Sequence, residues 1–381
     1  MGRIYFVART YSPNAASDIR YRSLMEGFRC NDEISFVYLL PDSNKSVLTP
    51  SQSNIKVVNM WEGQNCIGRL RQQVFLYYNL FKFIHYLQAG DVVVDLACCE
   101  ILPFLLRKRS VRIYYEISEH PEISLSSSRI SPSVKSFLRY CKRLSGLFVI
   151  SNALKEYFVE SGVEESRVHI INMVVDESRF SGLKKNKRKD KIIAYCGTAS
   201  NNKDGVDQLI KSFSVLSSTN PEYKLMIIGR TPDKNQNFSN LKLVESLGLT
   251  NKVIFTGAIP YNQIPQLIVD ADILALDRPN NKQAKYGFPT KLGEYLISGN
   301  PVVITNVGDM HLFLKHKESA LIAEPDNVDS FSKELIWAIE HPEEARIMGE
   351  RGKEVAHNCF NGAIEGEKLL RIIKSNGNGE L

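Results

Sequence analysis

Short runs rich in Val, Ile, Tyr and Phe alternate with stretches of helical period from end to end of this chain, and that alternation leaves few folds open. A strand followed by a helix and another strand pairs in parallel through a crossover, so a chain of such units builds parallel sheets covered by helices on both faces. In the first half the strand candidates are RIYFVA, ISFVYLL, IKVVNM, DVVVDLA, VRIYYEI, GLFVIS and VHIIN. Helices are expected over RYRSLMEGF, from Arg69 to Gln88, and over SPSVKSFLRYCKRL, whose Ser and Pro mark a helix start. After NMVVDESRF the chain becomes apolar-poor and strongly charged in SGLKKNKRKDK, which reads as a linker. The pattern then restarts with the strand KIIAYCG, the loop TASNNKDG and a helix carrying Val206, Leu209, Ile210, Phe213 and Leu216 at helical spacing. KLMIIGR, LKLVESLGL ended by Gly248, NKVIFTG, IPQLIVDA, DILALD, PVVITN, ALIAE and a helix from Val328 to Glu340 continue it. Two open α/β units of this kind bind ligands at the carboxyl ends of their strands.

A chain of 381 residues suits two domains of ordinary size. The formal charge of +6 is only mildly basic and gives no reason to expect a nucleic-acid partner. Seven cysteines, among them the neighbours Cys98 and Cys99, show neither CxxC nor a Cys/His metal spacing, and their odd number fits a reducing compartment. The start MGRIYFVARTYSP reads as a buried strand, and no apolar run approaches the ~18 to 20 residues of a membrane span. The expected location is the cytoplasm.

The stretch KYGFPTKLGEYLISGNPVV, from Lys285 to Val303, is the most informative local sequence. Pro289 suits the first helical position, so a helix is predicted to begin near Thr290 and stop at Gly299. Its roughly four unpaired N–H groups and the positive end of its dipole make an anion site. Glu294 lies about one turn inside and would repel a phosphate, so it suits hydroxyl groups such as those of a nucleotide ribose. A glutamate that merely favours its own helix dipole fits the position equally.

Taken in order, CGTASNNKDGVDQLIKSF, KLMIIG, LGLTNKVIFTGAIPYNQIPQLIVDADILAL, YGFPTKLGEYLISGNPVV and ALIAEPDNVDSFSKELIWAI resemble the donor domain of glycosyltransferase family 4 (group 1). GLFVISNALKEYFVESGV and VHIINMVVDESRF extend the resemblance weakly into the first half. It implies an α/β GT-B fold, two Rossmann-like domains whose parallel sheets face a central cleft. The acceptor-binding domain would span residues 1–182, a basic linker 183–190 and the nucleotide-sugar donor domain 191–357; a C-terminal helix in 358–381 would pack back on the first domain before SNGNGEL frays.

The implied activity is that of a retaining, metal-independent hexosyltransferase-type enzyme, with the nucleotide diphosphate sugar as donor substrate and no further cofactor. Lys203 matches the family lysine that pairs with the donor diphosphate, and Glu294 the glutamate that holds the ribose. Gly287, Phe288 and Pro289 and the amides of Thr290, Lys291 and Leu292 match the part that meets diphosphate and sugar; the Lys291 side chain also reads as a plain surface charge. Two positions depart from the family. Thr198 stands where the family has an arginine, shifting charge neutralisation onto Lys203 with Arg230 or Arg278 as helpers, and Tyr286 replaces the first glutamate of the family pair.

In YYEISEHPEI, after a first-half strand, Glu116, Glu119 and His120 are candidates for the acceptor side, and Glu119 and His120 join Lys203 as the catalytic candidates; a structural histidine remains open. Asp270-Ala271-Asp272 is a literal DxD, but it ends a helix and precedes a strand, so it reads as structural and no metal site is expected. Family members commonly build bacterial surface polysaccharides, which makes a glycan or lipid-linked glycan the expected acceptor. SVKSFLRYCKRL sets Phe137, Leu138, Cys141 and Leu144 beside Lys135, Arg139, Lys142 and Arg143, and LRKRSVR adds Arg107, Lys108, Arg109 and Arg112. Such segments suggest weak contact with the inner face of an anionic membrane, against an ordinary helix with one core face. A catalytically inactive nucleotide-binding scaffold of the same fold would explain Thr198 and Tyr286. A dinucleotide-dependent oxidoreductase is disfavoured because no strand is followed by GxGxxG, and SPNAASD lacks the glycines of a pyrophosphate turn.

Overall fold

The computed structural model describes residues 2–10, 16–28, 34–40, 55–57, 66–127 and 131–375. Its strands are β1 Ile4–Thr10, β2 Ile34–Leu40, β3 Ile55–Val57, β4 Val92–Leu96, β5 Arg112–Ile117, β6 Gly146–Val149 and β7 Val168–Ile170 in the first half. In the second they are β8 Lys191–Cys196, β9 Tyr223–Ile228, β10 Val253–Gly257, β11 Ile273–Leu276, β12 Val302–Thr305 and β13 Leu321–Ala323. Two all-parallel sheets result, ordered β3-β2-β1-β4-β5-β6-β7 and β10-β9-β8-β11-β12-β13. Each strand run expected from the sequence overlaps one of these strands, and most of the runs are buried on both faces: Val92, Val93 and Val94 have no exposure, nor does Leu274. Strand order reverses between β1 and β4 and again between β8 and β11, the Rossmann-like arrangement in which ligands lie at the carboxyl ends beside the reversal.

The chain forms two compact units, Met1–Asn172 with Gly362–Leu381, and Met173–Asn361. The first division thus falls ahead of the expected 182, and the charged stretch 183–190 is held within the second unit. Both carboxylates of the DxD do this. Asp270 accepts from the Asn186 backbone N–H at 2.9 Å, from its amide at 3.1 Å and from Arg188 at 2.8 Å. Asp272 accepts from Lys185 at 2.9 Å and from the Ile192 N–H at 2.7 Å.

The helix Gly362–Ser375 packs in the first unit against Ala16–Leu24 and the 3-10 turn Met25–Phe28. Glycine permits the approach: a Cβ on Gly366 would strike the Leu24 carbonyl oxygen, and one on Gly27 the backbone of Ala363 and Glu367. Glu365 also grips Asn172, accepting from its backbone at 2.9 Å and its amide at 3.1 Å. Residues 376–381, which contain most of the SNGNGEL tail, lie outside the described residues, as do 58–60 of IKVVNM and part of SPNAASD.

Several helices differ from expectation. Asn201–Asp204 is a helical turn inside the stretch read as a loop, and Lys234–Ser246 begins ahead of LKLVESLGL. Pro342–Cys359 has too few large apolar residues to stand out; its buried positions are Ala345, Met348, Gly349, Gly352 and Ala356, a helical stripe of mostly small residues packed on Thr290–Ile297. In SVKSFLRYCKRL, Phe137, Cys141 and Leu144 are buried and Leu138 is half-buried, while Lys135, Arg139, Lys142 and Arg143 are exposed, so three of the four apolar residues turn away from the basic surface.

Gly366→Ala should destabilise the chain by about 1 to 3 kcal/mol, since backbone must move to admit one methyl group. Thermal denaturation beside Ile364→Ala, an exposed neighbour expected to change little, checks this; equal melting temperatures would contradict the close approach.

Candidate active site

The described residues of the second unit gather charge where β8 and β11 end. After β8 the chain passes Gly197 and exposed Thr198, then makes the turn Asn201–Asp204, capped by Ser200 Oγ accepting from the Lys203 N–H at 3.1 Å. Gly205 follows with φ 62°, and a side chain there would strike the Asp277 carbonyl oxygen, so both conformation and space require glycine. This turn directs Lys203 outward and buries Asp204, which is 1% exposed.

Asp204 Oδ2 accepts from Lys291 Nζ at 2.6 Å and from the Tyr195 hydroxyl at 2.8 Å, and Arg278 Nε stands 3.7 Å from Oδ1. Arg278 is buried, donates to the Lys203 carbonyl at 3.4 Å, and accepts at its own carbonyl from Thr305 Oγ1 at 2.8 Å. Burial works to raise the Asp204 pKa, but the charge and hydrogen bond of Lys291, helped by Tyr195 and Arg278, hold it below the usual carboxylate range. Burial lowers the Lys291 pKa; Asp204 opposes this, while Arg278 and Lys203 lower it further. Lys291 is therefore no surface charge. Its ammonium fills the space that a side chain at Gly197 would need.

Asn281 steadies the turn before the next helix, accepting from the Ala284 N–H at 2.9 Å and donating to the Asn202 carbonyl at 2.6 Å. Gly287, Phe288 and Pro289 are buried, with the Phe288 ring 5.5 Å from those of Phe313 and Phe360. Pro289 is the N-cap, so the helix Thr290–Ile297 starts one residue later than proline at its first position would place it. Thr290 is exposed and Leu292 is in the core. Tyr286 is half-buried with Lys285 Nζ 5.3 Å from its ring centre. Glu294 is paired through Oε1 with Arg179, whose guanidinium lies 3.6 Å from the Tyr261 ring centre and donates to the Tyr261 carbonyl at 3.1 Å. Burial raises the Glu294 pKa against the pull of Arg179.

Residues 176–355 match the family model described as Glycosyl transferases group 1. This unit is a group 1 glycosyl transferase domain. Mannosylfructose-phosphate synthase of Agrobacterium fabrum is 25% identical over 227 residues, 56% of this chain and 49% of that protein. The chain thus spans about half the length of that relative. A protein named putative glycosyltransferase YtcC, from Bacillus subtilis, is 23% identical over 317 residues, 76% of each chain. Among solved structures, Anabaena Alr3699/HepE in complex with UDP superposes with TM-score 0.74 at 17% identity, covering 98% of this chain and 100% of that one. The chain has the GT-B fold.

The group 1 segment contains Lys203, Asp204, Arg278, Lys291 and Glu294. Lys203, Arg278 and Glu294 were candidates from the sequence; Asp204 and Tyr195, which are hydrogen-bonded to each other, and Arg179, which pairs with Glu294, were not. An acid flanked by Lys203 and Gly205 was the available signal for Asp204; nothing local marks Arg179 as the partner of a residue 115 positions away. Arg230 is exposed and joins none of the cluster's contacts described above. The acceptor-side candidates belong to the other unit. His120 is 4% exposed, caps the turn Pro121–Ser124 by accepting from the Glu122 N–H at 3.3 Å, and rests 4.5 Å from the Tyr157 ring. Glu119 is half-buried, and Glu116 is buried with Arg20 donating to it at 2.9 Å.

Asp277, beside Arg278, is 2% exposed, and burial pushes its pKa up to about 7 against a hydrogen bond from Ser212. Its folded value lies above the unfolded 3.8, so the folded state holds the proton more tightly and stability should fall as pH rises from about 4 to about 7. Asp277→Asn should remove that part of the slope. Denaturant melts across this range test it, and an unchanged slope would contradict the assignment.

Proposed function

We propose that this chain transfers a hexosyl group from a nucleotide diphosphate sugar to a hydroxyl, with retention and without a metal ion. The observation that carries the reading is the charge balance at the ends of β8 and β11, where Lys291 and Arg278 flank the buried carboxylate of Asp204 and Lys203 stands exposed on the same turn. A cationic excess in a partly dry site suits a diphosphate leaving group, whose developing charge it stabilises without reorganising. Lys203 reaches the diphosphate from the exposed side. Lys291, held by Asp204 against Gly197, supplies beside Thr198 the charge that an arginine supplies in relatives, and Thr198 adds a hydroxyl donor.

Gly287, Phe288 and Pro289 and the amides of Thr290, Lys291 and Leu292 bring the helix start to the same anion. Glu294 has Oε1 fixed by Arg179, and its Oε2 is the acceptor we assign to the ribose hydroxyls. Tyr286 meets the transferred sugar. Glu119 and His120 are assigned to the acceptor hydroxyl. The leaving diphosphate assists that hydroxyl on the same face, so the protein chiefly positions and neutralises. UDP bound to Anabaena HepE supports a nucleotide donor. The acceptor we assign is a glycan or lipid-linked glycan, in bacterial surface polysaccharide synthesis at the inner membrane face. Thr198 and Tyr286 favour one second reading, a nucleotide-binding scaffold without turnover. Release of free nucleotide diphosphate from a donor sugar separates the two.

Calorimetric titration with a panel of nucleotide diphosphates tests the donor site. Lys203→Ala should cost about 1.5 to 3 kcal/mol of affinity, as for a charge-assisted contact, and Glu294→Ala more than Glu294→Gln. Affinity indifferent to all three would remove these residues from the site. Turnover should also persist in EDTA; its loss, restored by a divalent ion, would refute the metal-independent mechanism.

A further inference from the structure

In the first unit, residues 74–86 of the helix Cys66–Tyr86 carry apolar side chains on both faces. Leu76, Leu80 and Phe83 point into the core at helical spacing, and a surface helix normally sets polar residues opposite such a stripe. Here the outward side chains include Val74, Phe75, Tyr77, Tyr78, Phe81 and Tyr86, with Phe81 62% and Tyr78 51% exposed. A contiguous exposed patch of this kind marks an interaction surface.

Among the described residues, the exposed charge on this face has one sign. No Asp or Glu occurs in the 21 residues of the helix, while exposed Lys82 and His85 share the outward face, Lys82 Nζ lying 4.6 Å from the Tyr78 ring centre. Tyr77 touches Phe104 of the turn Leu102–Leu105 at 5.5 Å between rings, and the Arg107 guanidinium stands 5.5 Å over that same Phe104 ring. Arg109 is also exposed, Lys108 half-buried, and Arg143 reaches across to the Leu106 carbonyl at 3.0 Å. Glu100, whose charge is felt by Tyr77, is buried and paired with Arg9 at 2.7 Å. Tyrosine and phenylalanine rings bordered by cations suit a headgroup boundary, where ring bodies enter the acyl edge, hydroxyl tips stay wet and cations meet anionic lipid.

We propose that this aromatic face, with the Arg107–Arg109 border, docks the chain on the surface of an anionic bilayer. The apolar and basic partners expected to meet at SVKSFLRYCKRL instead meet here. The proposal requires no turnover, so it stands or falls separately from sugar transfer.

Co-sedimentation of the full chain with phosphatidylcholine vesicles, with and without phosphatidylglycerol, tests it. Binding is expected with the anionic lipid and should weaken as salt rises. Phe81→Ser combined with Tyr78→Ser should lower the partition coefficient about tenfold or more, through lost apolar burial. Arg107→Ala and Arg109→Ala should each lower it roughly fivefold at low salt. Phe81→Trp keeps the apolar face and reads insertion directly, as quenching by brominated acyl chains beyond that of the wild type. Absence of binding at low salt, partitioning indifferent to these variants, or no added quenching at saturating lipid would overturn the proposal. So would light scattering that finds a dimer split by the Phe81/Tyr78 variant, since the face would then belong to a second copy.

Discussion

The second unit depends on one buried carboxylate. Asp204 is sealed from water at the mouth of the sheet, and an ionised group there is tolerable only when paired and hydrogen-bonded. Its partners come from separate elements: Tyr195 from β8, Arg278 from the end of β11, and Lys291 from a helix 87 residues further along. Removing one partner of such a pair typically costs about 3 to 5 kcal/mol, because the other charge is left buried and alone. The Asp204 pairings therefore fix how the loop after β8, the end of β11 and the turn before Thr290 are held against each other. They also leave that place with more positive than negative charge.

The same region divides its cations by accessibility. Lys203 is exposed on the outer side of the turn that buries Asp204, whereas Lys291 and Arg278 are held beneath it. A flexible exposed ammonium reaches toward a ligand but is screened by water; a fixed buried one acts in a lower dielectric and loses little entropy on use. Glu294 is treated similarly, since Arg179, braced on the Tyr261 ring and carbonyl, restricts its carboxylate before any ligand arrives. Fixing charges in advance is the usual physical basis of stabilising a leaving group.

Much of this was readable beforehand, and the failures have identifiable causes. Val92 to Val94 or Ile273 to Leu276 announce strands because a strand buried on both faces must be continuously apolar. Pro342–Cys359 escaped because its contact stripe is built largely from alanine and glycine, which carry little hydrophobic signal yet allow close packing. The charged stretch before β8 looked free because its composition is that of a linker; Asp270 and Asp272, some eighty residues later, bind it down. Lys203 and Glu294 were legible as part of an ordered set of motifs. Asp204 and Arg179 were not, because their importance rests on partners distant in sequence.

The sequence alone determined the class of fold, the parallel sheets, the helix start at Thr290 and the absence of a familiar arginine at Thr198. These follow from short-range rules of residue period, turn chemistry and the spacing of neighbours. Tertiary structure decided that Lys291 faces Asp204 rather than water, that Glu294 is held by Arg179, and that the outer face of residues 74–86 is aromatic rather than polar. The direction of a side chain and the identity of its neighbour depend on which elements are packed together across long stretches of chain. A charge count gives Lys291 the same value on a surface or against a buried carboxylate, and only burial and pairing separate the two.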